Sequence, residues 1–462
     1  MCVNFMNLSS GKVFCFDNYR ERISEEKLEK IFSEYFQKVD KNEVVEVRLG
    51  GKSFDLEAAQ LAAEILPTLV NLRVVSFADV IAGRKEEEGH GVLRVLSSSL
   101  ESDQLYELDL SDNALGAKGI EACKKILRQQ KKLQVIRFCN NGLAADAIQL
   151  LVSYLLEGGG PTSLKTIHFF NNLMESEGAK NVVPLLEFSP ELEDLKLASL
   201  RVGEEGIEPV IRALKNTTLL RVLDLSDNIL ANRGANCLGR MFPLLSNLET
   251  LILRDTSLGD KGATTILQCL ERSEIRLKVL DISCNELTAE SCKNLAKLVE
   301  QQTCLERLLV EENDIGSKGV AMLAKALSSG AHSRLVELNL AENSIGTAGA
   351  KALFSVLIKL VSLRNVNLSG NWIKQVVVEE LEDALSQINR TELTVSFSDN
   401  ESEEEETEEY EEEDEDDISL NNSVDADVDA TLETRNHSRN EDINALKDEF
   451  AKISVEKQAD EK

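Results

Sequence analysis

The residues of this chain that could do chemistry are few and poorly gathered. Four histidines, His90, His168, His332 and His437, stand far apart, and none shares metal-ligand spacing with a cysteine. The nine cysteines form no CxxC pair, which reads as reduced, buried thiols of a cytosolic or nuclear protein. The stretch "RLGGKS" (48–53) imitates the end of a phosphate-binding loop. The full GxxxxGK[ST] spacing needs Gly at position 46, and Glu46 is there, so an ordinary turn is expected. No Gly-x-Ser-x-Gly elbow occurs. No metal or cofactor site and no active site for a small molecule is therefore expected, and recognition becomes the default reading. One stretch resists that blandness: "SFADVIAGRKEEEGHG", from residue 76, sets Arg84 and Lys85 behind a glycine.

The elements that must position that stretch come from a repeat. The pattern LxxLxLxxNxL starts at Val44, Leu72, Leu105, Leu133, Leu164, Leu192, Leu220, Leu248, Leu277, Leu305, Leu335 and Leu363, at spacings of 28 to 33 residues. This is a leucine-rich repeat with long units. In the unit from Leu248, Leu251 and Leu253 alternate and share one side of a short strand. Ala263, Ile266, Leu267 and Leu270 follow at helical spacing. Neither face can be buried alone, so neighbouring units must stack. The predicted fold class is α/β: a crescent solenoid with parallel strands on the concave face and helices on the convex face. Residues 1–43 are expected to form a cap with a helix around Leu28, Ile31 and Phe32, residues 44–397 the repeat domain, and residues 398–462 an acidic, disordered tail.

Eight of the twelve units carry Asn at the ladder position: Asn113, Asn141, Asn172, Asn228, Asn285, Asn313, Asn343 and Asn371. Their amides suit the backbone groups left unpaired where each strand turns away. In the unit from Leu72, Val80 replaces the Asn. That unit is 33 residues long against the usual 28, and the excess is expected near the rim, with Arg84 on a glycine hinge away from the template's apolar positions, where replacing it should cost the fold little.

Charge narrows the partner. The formal net charge of −30 argues against a nucleic-acid surface and favours a basic protein partner. Residues one before the ladder position run Asp79, Asp112, Asn140, Asn171, Ser199, Asp227, Asp255, Cys284, Glu312, Glu342 and Gly370, and six of the eleven are acidic. Asp109, Asp224 and Asp281 add acids on the strand face. The segment 401–417 holds fourteen acids in seventeen residues, a run that repels itself too strongly to pack. Beyond it, Ile443, Leu446, Phe450 and Ile453 could line one short amphipathic helix. No apolar run reaches the roughly 20 residues of a membrane span, and the N-terminus lacks the pattern of a signal peptide.

"FADVIAGR" (77–84), "LYELDLSDNALGAKG" (105–119) and "FCNNGL" (138–143), with the acidic run, resemble the Ran GTPase-activating proteins over about 400 residues. The resemblance implies acceleration of GTP hydrolysis by Ran in nucleocytoplasmic transport. It makes the chain a regulator of an enzyme, with GTP and Mg²⁺ held by the partner. It maps the family's essential Arg onto Arg84 and its GTPase-contacting Asn onto Asn140, while Asn141 is the ladder residue. In this family the Arg does not enter the nucleotide site as a finger; the activator orders the GTPase's own Gln and Tyr around the attacking water. Asp79, Lys85, Asp112, Asn171, Asp227 and Asp255 are the expected partner contacts. Partners implied are Ran-GTP and a Ran-binding protein in a ternary complex, with the chain itself a cytoplasmic, in part perinuclear, monomer that neither enters a membrane nor binds nucleic acid.

The chain departs from plant relatives, which carry a Trp-Pro-Pro domain, since no Trp precedes Trp372. The 45 residues after the acidic run are fewer than the C-terminal domain of vertebrate relatives needs, so that domain is not expected here. The competing reading is a non-catalytic leucine-rich-repeat scaffold or inhibitor, similar to the ribonuclease inhibitors. Those carry Cys at many ladder positions, and none of the twelve here is Cys.

Overall fold

The computed structural model describes residues 12–16, 20–100, 103–328, 333–357, 359–387 and 392–400. The acidic run, the 443–453 stretch, His332 and His437 lie outside them. The architecture is a leucine-rich-repeat α/β solenoid of fourteen parallel strands alternating with helices. The chain divides into two compact units, Met1–Leu287 and Thr288–Lys462.

In the first unit ten strands pair in chain order, from Lys12–Cys15 and Val44–Arg48 through to Val279–Asp281. Register follows the repeat: Val222, Leu223 and Asp224 lie beside Thr250, Leu251 and Ile252. The alternation of the template is visible in burial. Leu251 and Leu253 are both fully buried beneath the sheet, while Thr250 and Ile252 are part-exposed on its other face. The helix Gly259–Glu271 buries Ala263, Ile266, Leu267 and Leu270 against them. Where a larger side chain suits the second apolar strand position, Phe77, Phe138 and Phe169 fill it and are fully buried.

The expected cap holds a helix, Glu25–Phe36, burying Leu28 and Phe32; Ile31 is only half-buried. The cap also supplies a strand the repeat pattern did not announce, Lys12–Cys15 beside Val44–Arg48. Phe14 from that strand packs 5.0 Å from Phe32 and 4.9 Å from Tyr35, ring centre to ring centre. In the second unit four strands, Arg307–Leu309, Glu337–Asn339, Asn365–Asn367 and Thr394–Ser396, pair in order. The last belongs to a unit without the template's first leucine, and Asn400 continues the ladder there. Its Oδ1 accepts from the Asn371 N–H at 3.1 Å, and its Nδ2 donates to the Phe397 carbonyl at 2.7 Å.

The ladder works between units as well as within them. Asn113 Nδ2 donates to the carbonyls of Phe77, Leu110 and Ser111, and its Oδ1 accepts from the Val80 N–H at 3.0 Å. Asn141 Oδ1 in turn accepts from the Asn113 N–H at 2.9 Å. Each Asn thus serves the unit before it. Val80 is tolerated because its own N–H is served from the following unit. The unit preceding it makes little demand here, since its segment Lys52–Phe54 is a strand paired with Glu21–Ile23. Thr256, at another departure from Asn, donates from its hydroxyl to the Leu253 carbonyl at 2.7 Å.

The eight described cysteines are all free, but only Cys123, Cys237 and Cys292 are buried, and Cys15 is exposed. The expectation of uniformly buried thiols is corrected accordingly. Among the described residues no helix is long and apolar enough to cross a membrane.

Candidate protein-binding rim

All the candidate residues fall in the first unit, along the edge where strands turn toward helices. Every residue of the series Asp79 to Gly370 adopts a positive φ, between 52° and 67°. The left-handed region costs an ordinary L-residue about 1–2 kcal/mol, and Gly, Asn and Asp meet that cost most easily. Seven of the eleven are Asp, Asn or Gly. The backbone therefore accounts for much of the acidity first read as a surface for a partner. The strand-face acids also have local work. Asp109, Asp224 and Asp281 accept from the N–H groups of Ser111, Ser226 and Ser283 at 3.0, 3.1 and 3.0 Å.

Consecutive rim residues are held in line by backbone bonds to the next unit. The Asp79, Asp112 and Asn140 N–H groups donate to the carbonyls of Ser111, Cys139 and Phe170 at 3.0, 2.9 and 2.7 Å. Their side chains then link as well. Asn140 Nδ2 donates to Asp112 Oδ1 at 2.9 Å, and Asn171 Nδ2 donates to Asn140 Oδ1 at 3.0 Å. Asp112, Asn140 and Asn171 are exposed, so this row of three faces solvent. Phe170 and Leu173, beside it, are exposed apolar side chains. Asp227 and Asp255 are exposed further along the same series. Asp79 is not free: Arg20 Nε lies 2.8 Å from its Oδ2, and the Asp79 side chain is only 15% exposed.

The Gly-Arg loop is a fixed turn. The Arg84 N–H donates to the Ile81 carbonyl at 3.1 Å, and Gly83, third of those four residues, has φ 72°, as a type II turn requires. Arg84 is more buried than a loop position off the apolar pattern suggests, for its side chain is 10% exposed. Nε donates to Ser53 Oγ at 2.9 Å, Nη2 to the Ser53 carbonyl at 2.8 Å, and Nη1 to Glu88 Oε1 at 2.7 Å. Ser53 belongs to the imitation phosphate loop, which is a glycine turn leading into Lys52–Phe54. Lys85 is exposed, and among the described residues it has no ion-pair partner.

The excess length of this unit is not all at the rim. Its helix, Glu86–Ser99, begins 14 residues after Leu72, whereas Gly116–Ala122 begins 11 after Leu105. Three of the five extra residues lie in the loop and the other two follow the helix start. Glu86 closes the arrangement against the next unit, with Lys118 Nζ 2.7 Å from its carboxylate. The Lys118 hydrogen bond holds the Glu86 carboxyl below its usual range. Behind them burial holds the His90 imidazolium below its ordinary pKa, which favours a neutral ring in the helix.

Sequence reasoning missed three residues here. Ser53 and Glu88 hold Arg84, and Arg20 occupies Asp79. Only the i,i+4 spacing of Arg84 and Glu88 offered a signal.

Comparison with known proteins identifies the repeat and its relatives. A leucine-rich-repeat family model matches residues 105–122, 245–267, 277–296, 301–324 and 332–354. RAN GTPase-activating protein 2 of Arabidopsis thaliana is 31% identical over 380 residues, covering 82% of this chain and 67% of that protein. The chain belongs to the leucine-rich-repeat family that includes Ran GTPase-activating proteins. The Ran GTPase-activating protein of Drosophila melanogaster is 26% identical over 293 residues, 61% of this chain and 49% of that one. The mouse ribonuclease inhibitor is 30% identical over 193 residues, 42% of each chain, so the match spans less than half of that inhibitor. Among solved structures, an internalin of Listeria monocytogenes is 16% identical with a TM-score of 0.44, covering 83% of this chain and 86% of that one.

Proposed function

We propose that this chain is a GTPase-activating protein for Ran. The observation that carries the reading is the rim of the first unit. A clamped Gly-Arg loop and the exposed Asn140 stand on one edge, in a chain matched over 82% of its length by a Ran GTPase-activating protein. The chain would act on the partner's active site, with GTP and Mg²⁺ on the partner, as a cytoplasmic or perinuclear monomer whose complex accommodates a Ran-binding protein.

Arg84 has three N–H groups committed within the chain. Reaching into a nucleotide site as a finger would break them, so it acts where it stands, shaping the loop. Asn140 spends one amide N–H on Asp112 and one lone pair on Asn171. One N–H and one lone pair are left to hold a partner's Gln side chain. Ordering that Gln and the attacking water is a positioning effect, and a displacement of about 1 Å in such a group can cost about 10²-fold in rate. Lys85, Asp112, Asn171, Asp227 and Asp255 are proposed contacts, while Asp79 supports the rim through Arg20. The 401–417 run would add long-range attraction to a basic partner, fading as salt shortens the screening length to about 8 Å.

The test is single-turnover GTP hydrolysis by purified Ran with and without the full chain. Strong stimulation is expected. No stimulation at micromolar protein, with inhibition of a ribonuclease instead, would replace this reading with the inhibitor one.

A further inference from the structure

We infer that Ser53 and Glu88 are positioning residues of the site, acting through Arg84. The inference rests on the proposed activity and deepens it. Arg84 bridges two units: Ser53 lies on the loop of the unit from Val44, and Glu88 on the first turn of the helix that follows Arg84 itself. Two of the three side-chain bonds end on Ser53, which is 8% exposed and held in the strand Lys52–Phe54. The same two loops are tied again by the Phe54 N–H, which donates to the Val80 carbonyl at 2.9 Å. The third bond ends on Glu88, whose side chain is 38% exposed and whose carboxylate fixes the far side of the guanidinium.

The planar fork of Arg serves both partners at once, which a Lys ammonium cannot do from one point. The consequence is geometric. Ile81–Lys85 is pinned at both ends of its turn, so Lys85 and the turn backbone are presented in one place, a few residues after Asp79, whose N–H ties this rim to the next repeat at the Ser111 carbonyl. An Arg that acts this way is needed for rate without touching the nucleotide.

The experiment measures kcat and KM for Ran-GTP hydrolysis with full-length Ser53→Ala, Glu88→Gln, Arg84→Ala, Arg84→Lys and the double variant Arg84→Ala/Glu88→Gln, beside urea unfolding of each. Glu88→Gln and Ser53→Ala should each lower kcat about tenfold with KM changed less than about twofold, because the exposed contact row is intact. Arg84→Lys should resemble Arg84→Ala. On the Arg84→Ala background Glu88→Gln should have no further effect on kcat, the signature of residues acting as one unit. A merely structural role would shift the unfolding midpoint and leave kcat alone. Wild-type kcat in Ser53→Ala and Glu88→Gln, in a protein whose Arg84→Ala variant is impaired, overturns this inference alone. An additive loss in the double variant also overturns it. Failure of the unmodified chain to stimulate Ran overturns the proposed function and this inference together.

Discussion

Adjacent asparagines at 140 and 141 offer the sharpest separation of function from fold. Asn141 is fully buried. Its Oδ1 accepts from the Asn113 N–H at 2.9 Å, and its Nδ2 donates to the Leu110 carbonyl at 3.0 Å. Leu110 keeps a second donor, Asn113 Nδ2, at 3.0 Å. The Asn113 N–H has no other acceptor among the described residues, so Asn141→Ala strands one buried donor, which costs about 1–3 kcal/mol. With the loss of the amide's packing, a destabilisation of about 2–3 kcal/mol is expected.

Asn140 demands a different substitution. It is exposed, and its two side-chain bonds end on exposed partners, but its φ is 52°. Alanine there would add about 1 kcal/mol of left-handed strain and blur the comparison. Asn140→Gly removes the amide while accepting the backbone, and stability should stay within about 0.5 kcal/mol. Stopped-flow GTP hydrolysis at saturating activator, run beside urea unfolding, should then show opposite patterns. Asn140→Gly should lose rate and keep its unfolding midpoint; Asn141→Ala should lose midpoint and keep most of its rate once saturated. Full stimulation by Asn140→Gly, or loss of rate by a normally stable Asn141→Ala, would refute the division of roles.

Three further outcomes follow from the same structure. Arg84→Ala, which the sequence suggested would cost the fold little, should cost about 1–3 kcal/mol in urea unfolding, because the buried Ser53 groups lose their donor. Asp281→Asn should raise stability at neutral pH. Burial, first among its causes, pushes the Asp281 carboxyl above its ordinary value of 3.8, so the folded state disfavours the ionised form. The gain should shrink as pH falls through the raised pKa toward that ordinary value, and unfolding midpoints at several pH values read it out. Asn already does this job at equivalent positions, where Asn339 and Asn367 accept from the Ala341 and Ser369 N–H groups at 3.1 Å. Gly206→Ala should destabilise by about 1–3 kcal/mol, since a Cβ there would lie 2.5 Å from the Ser176 Cα of the adjoining helix. A normal melt for that variant would mean the two helices have room to part.

What could be read in advance was whatever the repeat encodes in residue type. Strand and helix faces were legible because burial has a period, and the ladder because one amide chemistry recurs at one position. The strand Lys12–Cys15 was not, because it lies ahead of the repeat and offers only Val13 and Phe14 as a pattern. The clamp on Arg84 was hidden for another reason. Ser53 lies 31 positions away in sequence, and its partner is chosen by the stacking of units, which no local pattern records.

The rim shows where residue type can mislead. An Asp at a left-handed position answers to the backbone first, so Asp79, Asp112, Asp227 and Asp255 are weak evidence of an electrostatic surface. Glu has no such preference, yet Glu312 and Glu342 hold φ 52°. There the backbone gives no reason for an acid and charge is the property left to explain. Replacing the four Asp residues by Asn would keep the conformation and remove the charge. The proposed electrostatic role then predicts a slower association with Ran at low salt, converging on the unmodified rate as salt rises, with hydrolysis at saturation unchanged by loss of charge at Asp227 and Asp255. Equal association rates at low salt would assign these four Asp residues to the backbone alone, and the amide row at Asn140 and the turn carrying Lys85 would be left to carry recognition.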